Sequence, residues 1–353
     1  IMANIIPDAE FHVIEDAGHY AFAECPELFH ELTSAFIKHH TRDSFGRRIK
    51  KARLPKHVNF IDGEFVMGTG TEVSVVTPIN GQTLQAVTHT SPNQVDEAVK
   101  VASSAQPDWV ALGGEKRAKI LARAAQSLLQ DIERLTALIV LDNGKTLDEA
   151  RADVYAAAGL LDSAAGWATR IKGTTMEPTH GLEKMTWREP VGTVAILMPF
   201  NAPLMFSALK IGAAIASGNT VVAKPPELNP FAVAAFIEHL VAAGLPRGVV
   251  NLVSGDATVG ETLVAGEDID LVSFTGSSHV GAIVGAAATQ QHKRVLLELG
   301  GKSANIVFED APFEDAVAGS VKGIFRNNGQ RCFSGARLLL QEQVADDFIV
   351  AFL

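Results

Sequence analysis

Cys332 closes the polar stretch Asn327-Asn328-Gly329-Gln330-Arg331, and Glu298 lies well upstream in Leu297-Glu298-Leu299-Gly300-Gly301-Lys302. A lone cysteine in a glycine-started loop, with a carboxylate distant in sequence, fits a thiol nucleophile and a base that meet only in the fold. A cysteine is by default an inert, buried hydrophobe. This loop is a poor place for a core residue, and Arg331 next door favours the thiolate. Asn201, between Phe200 and Ala202-Pro203, reads either as a turn asparagine or as an amide donor to an oxyanion forming beside a nucleophile. Lys224 and Glu227 flank Pro225-Pro226. They are either a solvated ion pair or, on a loop stiffened by two prolines, a grip on a ribose diol. Phe274-Thr275-Gly276-Ser277 runs through Ser278-His279-Val280 to Gly281. Its glycines serve a turn and helix packing, or the turn brings backbone N–H groups to a phosphate at a helix start. Neither Gly-x-Gly-x-x-Gly nor a Walker loop occurs, so the standard dinucleotide fingerprint is absent.

These groups come from separate stretches, and one scaffold has to gather them. From 191 to 310 short apolar strands alternate with helices. Strands are expected at 191–198, 220–224, 249–253, 271–274, 294–297 and 303–308, with helices at 204–217, 231–243, about 258–265 and about 278–288. That alternation predicts an α/β fold, a doubly wound parallel sheet covered on both faces. Such a sheet binds its ligand at the carboxyl ends of its strands, where the glycines and polar residues above fall. Upstream, 59–66 reads as a hairpin turned at Asp62-Gly63, followed by helices at 93–105, 115–130, 131–142 and about 146–169. Residues 171–189 read as an extended excursion turning at Thr179-His180-Gly181, a candidate partner surface.

The bulk properties exclude several function classes. At 353 residues the chain is long enough for two or three domains. A net charge of -10 argues against a nucleic-acid partner, which needs concentrated positive charge. The basic run from Arg42 to Lys56 is read as a solvated linker. The longest charge-free apolar stretch, 190–209, is broken by Pro199, Asn201 and Pro203, so no membrane helix is expected. Cys25 and Cys332 are the only cysteines, which gives no disulfide framework, and no zinc-ligand cluster or other metal site is read. Ile1-Met2-Ala3-Asn4 does not open a signal peptide. A reducing cytoplasm is the expected compartment for a reactive free thiol.

Taken together, Pro199-Phe200-Asn201, Lys224-Pro225-Pro226-Glu227, Phe274-Thr275-Gly276-Ser277, Glu298-Leu299-Gly300-Gly301-Lys302 and Gly329-Gln330-Arg331-Cys332 resemble, in order and spacing, the aldehyde dehydrogenase superfamily. The resemblance covers about residues 57–353, roughly the first two-thirds of a typical member. It implies an NAD-binding domain over 57–301, bridged to a neighbouring subunit by a hairpin at 171–189, and the start of a catalytic domain over 302–353. It implies oxidation of a small aldehyde to a carboxylic acid, with Cys332 as nucleophile. Asn201 and the Cys332 backbone N–H would hold the oxyanion, and Glu298 would activate water against a thioester. For the cofactor it implies contacts from Pro199, Phe200, Lys224, Pro225, Glu227, Phe274, Thr275, Gly276, Ser277, Gly281, Leu299 and Gly300. A carboxylate at Glu227 repels a 2′-phosphate, so NAD is expected over NADP. Phe200 stands where many members have tryptophan, and an aromatic is kept. The family is homo-oligomeric, and its Glu-x-Phe-Gly-Pro segment does not occur before Leu353. The alternative expectation is an inactive fragment that at most binds dinucleotide. Tyr155, Leu160 and Trp167 hint at an apolar aldehyde, or are ordinary core residues. Residues 1–40, with Asp16-Ala17-Gly18-His19 and Glu24-Cys25-Pro26-Glu27, resemble the last strand, histidine loop and last helix of an α/β-hydrolase. His19 has no nucleophile elbow upstream to serve.

Overall fold

The computed structural model describes residues 51–353 together with Glu27, which is helical and exposed. Apart from Glu27, the hydrolase-like tail expected over 1–40 lies outside the described residues, as does most of the basic linker at 41–56. The described chain opens with β1 (Asn59–Ile61) and β2 (Glu64–Val66), an antiparallel hairpin as expected. Asp62 and Gly63 at its tip have φ of 47° and 82°, the left-handed pair that a two-residue hairpin requires. β3 (Glu72–Val76) and β4 (Thr83–Thr88) form a second antiparallel pair that the sequence did not announce. Each buries one side chain, Val75 and Val87, so the period-two signal is faint.

Four helices follow: α1 (Pro92–Ala111), α2 (Gly114–Gln130), α3 (Ile132–Asn143) and α4 (Leu147–Ala168). Ser91 and Gln94 cap α1 reciprocally. The helix was expected to stop near residue 105, yet it runs through Pro107 to Ala111. An interior proline costs about 3 kcal/mol. Trp109 offsets that cost, because its ring is fully buried and its Nε1 donates to Ile215 O at 2.9 Å; burial of such a ring stabilises by about 3–5 kcal/mol. β5 (Thr175–Thr179) and β6 (Leu182–Met185) then form the exposed excursion.

The main sheet adds β7 (Thr193–Leu197), β8 (Thr220–Lys224), β9 (Val250–Leu252), β10 (Leu271–Gly276) and β11 (Arg294–Leu299). Its order is β11-β10-β7-β8-β9-β1-β2, with β7 to β11 parallel. The sheet is therefore mixed, because the first hairpin adds an antiparallel edge. Phe60 pairs with Leu252, and Asp62 N donates to Asn251 Oδ1 at 3.0 Å. Asn59 Oδ1 accepts from Ser254 N at 2.9 Å. The helix expected over 204–217 is interrupted: α5 (Pro203–Phe206), a π turn (Ser207–Ile211), then α6 (Gly212–Ala216). The remaining crossovers are α7 (Phe231–Ala242), α8 (Ala257–Ala265) and α9 (Ser278–Gln290). Alternation along the strands sends Ala195, Leu197, Val272 and Phe274 into a core shared with Val95 and Val99 of α1, Leu263 of α8 and Val284 of α9.

Past residue 300, β12 (Ala304–Val307) and β13 (Arg337–Leu340) pair in parallel as a separate two-stranded sheet. They alternate with α10 (Phe313–Phe325) and α11 (Glu342–Phe352). Phe348 is fully buried and meets the Phe313 ring edge-on at 5.9 Å. No helix among the described residues is long and apolar enough to cross a membrane.

Candidate active site

β7 lies between β8 and β10, so the chain leaves β7 toward one side and returns on the other. Loops at the carboxyl ends diverge at such a point and leave a crevice. A cavity of about 1030 Å³ opens there, and its walls include Asn201, Glu298 and Cys332. Pro199 and Phe200 after β7, Thr275, Gly276 and Ser277 at the end of β10, and Leu299 and Gly300 after Glu298 line it as well. Three stretches far apart in sequence therefore share one space.

The cysteine loop is built on unusual backbone. Asn327, Asn328 and Gly329 have φ of 58°, 55° and 70° in a single short turn. A left-handed non-glycine residue costs roughly 1–2 kcal/mol, least for asparagine. Hydrogen bonds hold it in place. Asn327 N donates to Glu149 Oε1 at 2.7 Å, and Asn328 Nδ2 to Gly144 O at 2.9 Å. Asn327 Nδ2 reaches Asn201 O at 3.1 Å and Gln330 O at 3.3 Å. Cys332 itself is free and exposed. Arg331 turns to other work as well: its guanidinium lies 5.4 Å from the Phe333 ring centroid, and its charge reaches the buried Lys145–Asp153 pair.

Asn201 is stitched to the same loop, its Nδ2 donating to Gln330 O at 2.7 Å. That bond uses one of the two amide hydrogens. The carbonyl just before it, Phe200 O, is clamped by Asn143 Nδ2 and Asn229 Nδ2, each at 2.7 Å. Of the three supporting amides, Asn327 belongs to the polar stretch singled out in the sequence, whereas Asn143 and Asn229 were not legible as part of the site. Glu298 points into the cavity because β11 alternates, with Leu296 on the same side. Lys210 was also missed. It sits in the π turn, donates to Ser273 Oγ at 2.7 Å, and lines the cavity. Burial pushes its pKa down to about 8, with the nearby Glu298 carboxylate opposing. The available signal was a lone cation in an otherwise apolar helical run.

A smaller cavity of about 340 Å³ lies on the other face of the sheet, where α8 and α9 meet it, with Lys224 and Phe274 at its wall. It is mostly apolar, with Leu197, Val264 and Ile283 among its walls. Burial lowers the Lys224 pKa, opposed by Glu227 and Asp256. Lys224 Nζ sits 3.4 Å from Pro225 O, whereas Glu227 Oε1 faces His89 Nε2 at 3.9 Å. The pair is therefore no simple solvated bridge. Ser277 caps α9, its Oγ accepting from Val280 N at 3.2 Å. Gly276 and Gly281 are tight spots, since a Cβ at the first would strike the Phe274 ring and at the second the Leu299 side chain. Gly281 thus serves the packing of α9 on β11 and lies outside both cavities. An apolar slot, a helix start and an ammonium–carboxylate edge together fit a dinucleotide. Tyr155 and Trp167 are 58% and 50% exposed on α4, so they are not core residues, and neither lines either cavity.

Residues 65–353 match the family model described as "Aldehyde dehydrogenase family". An aldehyde dehydrogenase of Aspergillus niger is 41% identical over 294 residues, 82% of this chain and 59% of that protein. Among solved structures, PnpE from Pseudomonas sp. WBC-3, in complex with nicotinamide adenine dinucleotide, has a TM-score of 0.83 at 38% identity. The match covers 84% of this chain and 62% of that one. An NADP-dependent enzyme of E. coli gives 0.82 at 34% identity, over 85% of this chain and 63% of that one. The chain thus spans about three-fifths of the length of the proteins it matches.

Proposed function

The chain belongs to the aldehyde dehydrogenase family, and on that premise we propose that it carries the apparatus for oxidising a small aldehyde to a carboxylic acid with NAD. One observation carries the reading: the Asn201 amide is bonded to the loop of the only free thiol among the described residues, in the cavity that Glu298 enters. The Cys332 thiolate attacks the aldehyde carbon and forms a thiohemiacetal. The second Asn201 amide hydrogen and the Cys332 backbone N–H face the oxygen that gains charge. NAD, when bound, supplies the hydride acceptor. The carbon on Cys332 is then a thioester, and Glu298 takes a proton from the water that hydrolyses it. Lys224 and Glu227 hold the adenosine ribose, and the Gly276-Ser277 turn at the start of α9 meets the pyrophosphate. Pro199, Phe200, Leu299 and Gly300 wall the nicotinamide end.

The same reading places the cofactor domain over 57–301, with 302–353 beginning the catalytic domain. The exposed β5–β6 hairpin, flanked by Trp187, is its subunit-bridging element. A reducing cytoplasm keeps Cys332 a thiol. A second reading, dinucleotide binding without turnover, is favoured by the half-exposed Leu296 on the Glu298 side of the cavity. The deciding experiment incubates the chain and a Cys332→Ala variant with NAD and an aldehyde panel, following reduced cofactor and the intact protein mass. Turnover lost in the variant, or an acyl adduct on Cys332, supports the enzyme. Cofactor binding with neither result supports the second reading.

A further inference from the structure

We propose that His89 determines cofactor specificity by fixing the carboxylate of Glu227. This rests on the reading that Glu227 faces the adenosine ribose. The two partners differ in freedom. His89 directly follows β4, and its backbone is tied on both sides: its N donates to Thr71 O at 2.8 Å and its O accepts from Gly70 N at 2.9 Å. The next residue, Thr90, bonds Ser254 O through its N at 2.8 Å and Asn59 Oδ1 through its hydroxyl at 3.0 Å. The His89 side chain is 6% exposed, whereas that of Glu227 is 43% exposed. Pro225 and Pro226, both buried, fix where Glu227 leaves the chain but not its side-chain torsions. Freezing such a side chain costs conformational entropy.

At 3.9 Å the imidazole edge and the carboxylate face each other at a distance longer than a hydrogen bond. A proton on Nε2 attracts the carboxylate and limits where it swings. One carboxylate oxygen then faces the imidazole and the other is left for the diol, on the side where Glu227 and Asp256 both act on the Lys224 ammonium. A dinucleotide with a free 2′-hydroxyl gains an acceptor already in place. One with a 2′-phosphate meets a negative charge whose freedom to move aside is reduced. Freed from His89, the same carboxylate is a poorer acceptor and a weaker barrier. The discrimination thus depends on the holder as much as on the acid.

The test is direct binding of NAD and of NADP to the purified chain by calorimetry, which needs no turnover. His89→Leu fills a similar volume without a donor, and His89→Gln keeps an N–H. Exposed ion pairs contribute up to about 1 kcal/mol, so His89→Leu is expected to lower the NAD-over-NADP preference about three- to fivefold, with NAD weakened and NADP unchanged or tighter. His89→Gln is expected to retain most of the preference. Equal weakening of both dinucleotides, or an unchanged ratio in His89→Leu, overturns the assignment while the cofactor reading stands. A wild-type chain that binds neither dinucleotide overturns both.

Discussion

Lys210 shows what a single buried cation costs. Burial holds its pKa near 8, while an unfolded lysine titrates near 10.4. Between those values the unfolded chain binds the extra proton, so stability rises with pH through that window, and below about pH 8 the desolvation penalty is fully present. Lys210→Met is expected to stabilise the fold at pH 7 by about 1–2 kcal/mol after the loss of the Ser273 bond, and to flatten the rise above pH 8. Urea midpoints at pH 7 and 9.5 check this, and a lower midpoint at pH 7 contradicts it. Asn201 is a matter of kinetics. Its replacement by alanine is expected to lower turnover by about 10²–10³ if the amide serves the oxyanion, measured as kcat on the best aldehyde of the panel. Cys332, Glu298 and Asn201 stood out in sequence as candidate nucleophile, base and amide donor because such groups are conspicuous in glycine- and proline-bounded loops, and the structure brings all three to one cavity. Asn143 and Asn229 did not, because an amide meeting a carbonyl across the fold leaves no trace in local spacing, and Lys210 left only a lone cation in an apolar run.

At the scale of elements, the cysteine loop and α1 both hold backbone that local preference disfavours. Asn327→Ala loses asparagine's tolerance of the left-handed region and deletes two side-chain bonds, so a loss of about 2–3 kcal/mol is expected, with faster amide exchange across 326–332. Asn328→Gly accepts the same φ and loses only the Gly144 bond. Its effect should fall within about 0.5 kcal/mol. Equal effects of the two substitutions would show that the strain is carried elsewhere. In α1, Pro107→Ala restores an N–H to a helix that already continues through the site, and should raise the urea midpoint by about 1–3 kcal/mol equivalent. The sequence placed the strands from β7 to β12 and the intervening helices to within a few residues, since apolar runs with turn residues at their ends mark a buried parallel sheet. It stopped α1 early because the reading ended at a proline, and only the buried Trp109 explains the continuation. The π turn before α6 left no pattern either, as an extra residue in one turn hardly alters an apolar run.

For the molecule as a whole, burial is uneven. The strands β7 to β10 are almost wholly buried, whereas around β12 and β13 Ile306, Phe308, Phe325, Phe333, Leu339 and Val350 are exposed. Local opening is cheapest where few apolar contacts resist it. Amides of 304–307 and 337–340 are therefore expected to exchange well before those of 193–197 and 271–276, measured by hydrogen–deuterium mass spectrometry. Matching rates would mean that the two sheets unfold as one unit. The β1–β2 hairpin sets a different clock. It leaves the ribosome early, yet its partners Asn251, Leu252 and Ser254 come almost two hundred residues later in translation. Until they arrive, three-residue strands with so little surface of their own have nothing to dock on. During those seconds of synthesis the hairpin is a waiting edge, and its docking records that the parallel strands have assembled behind it.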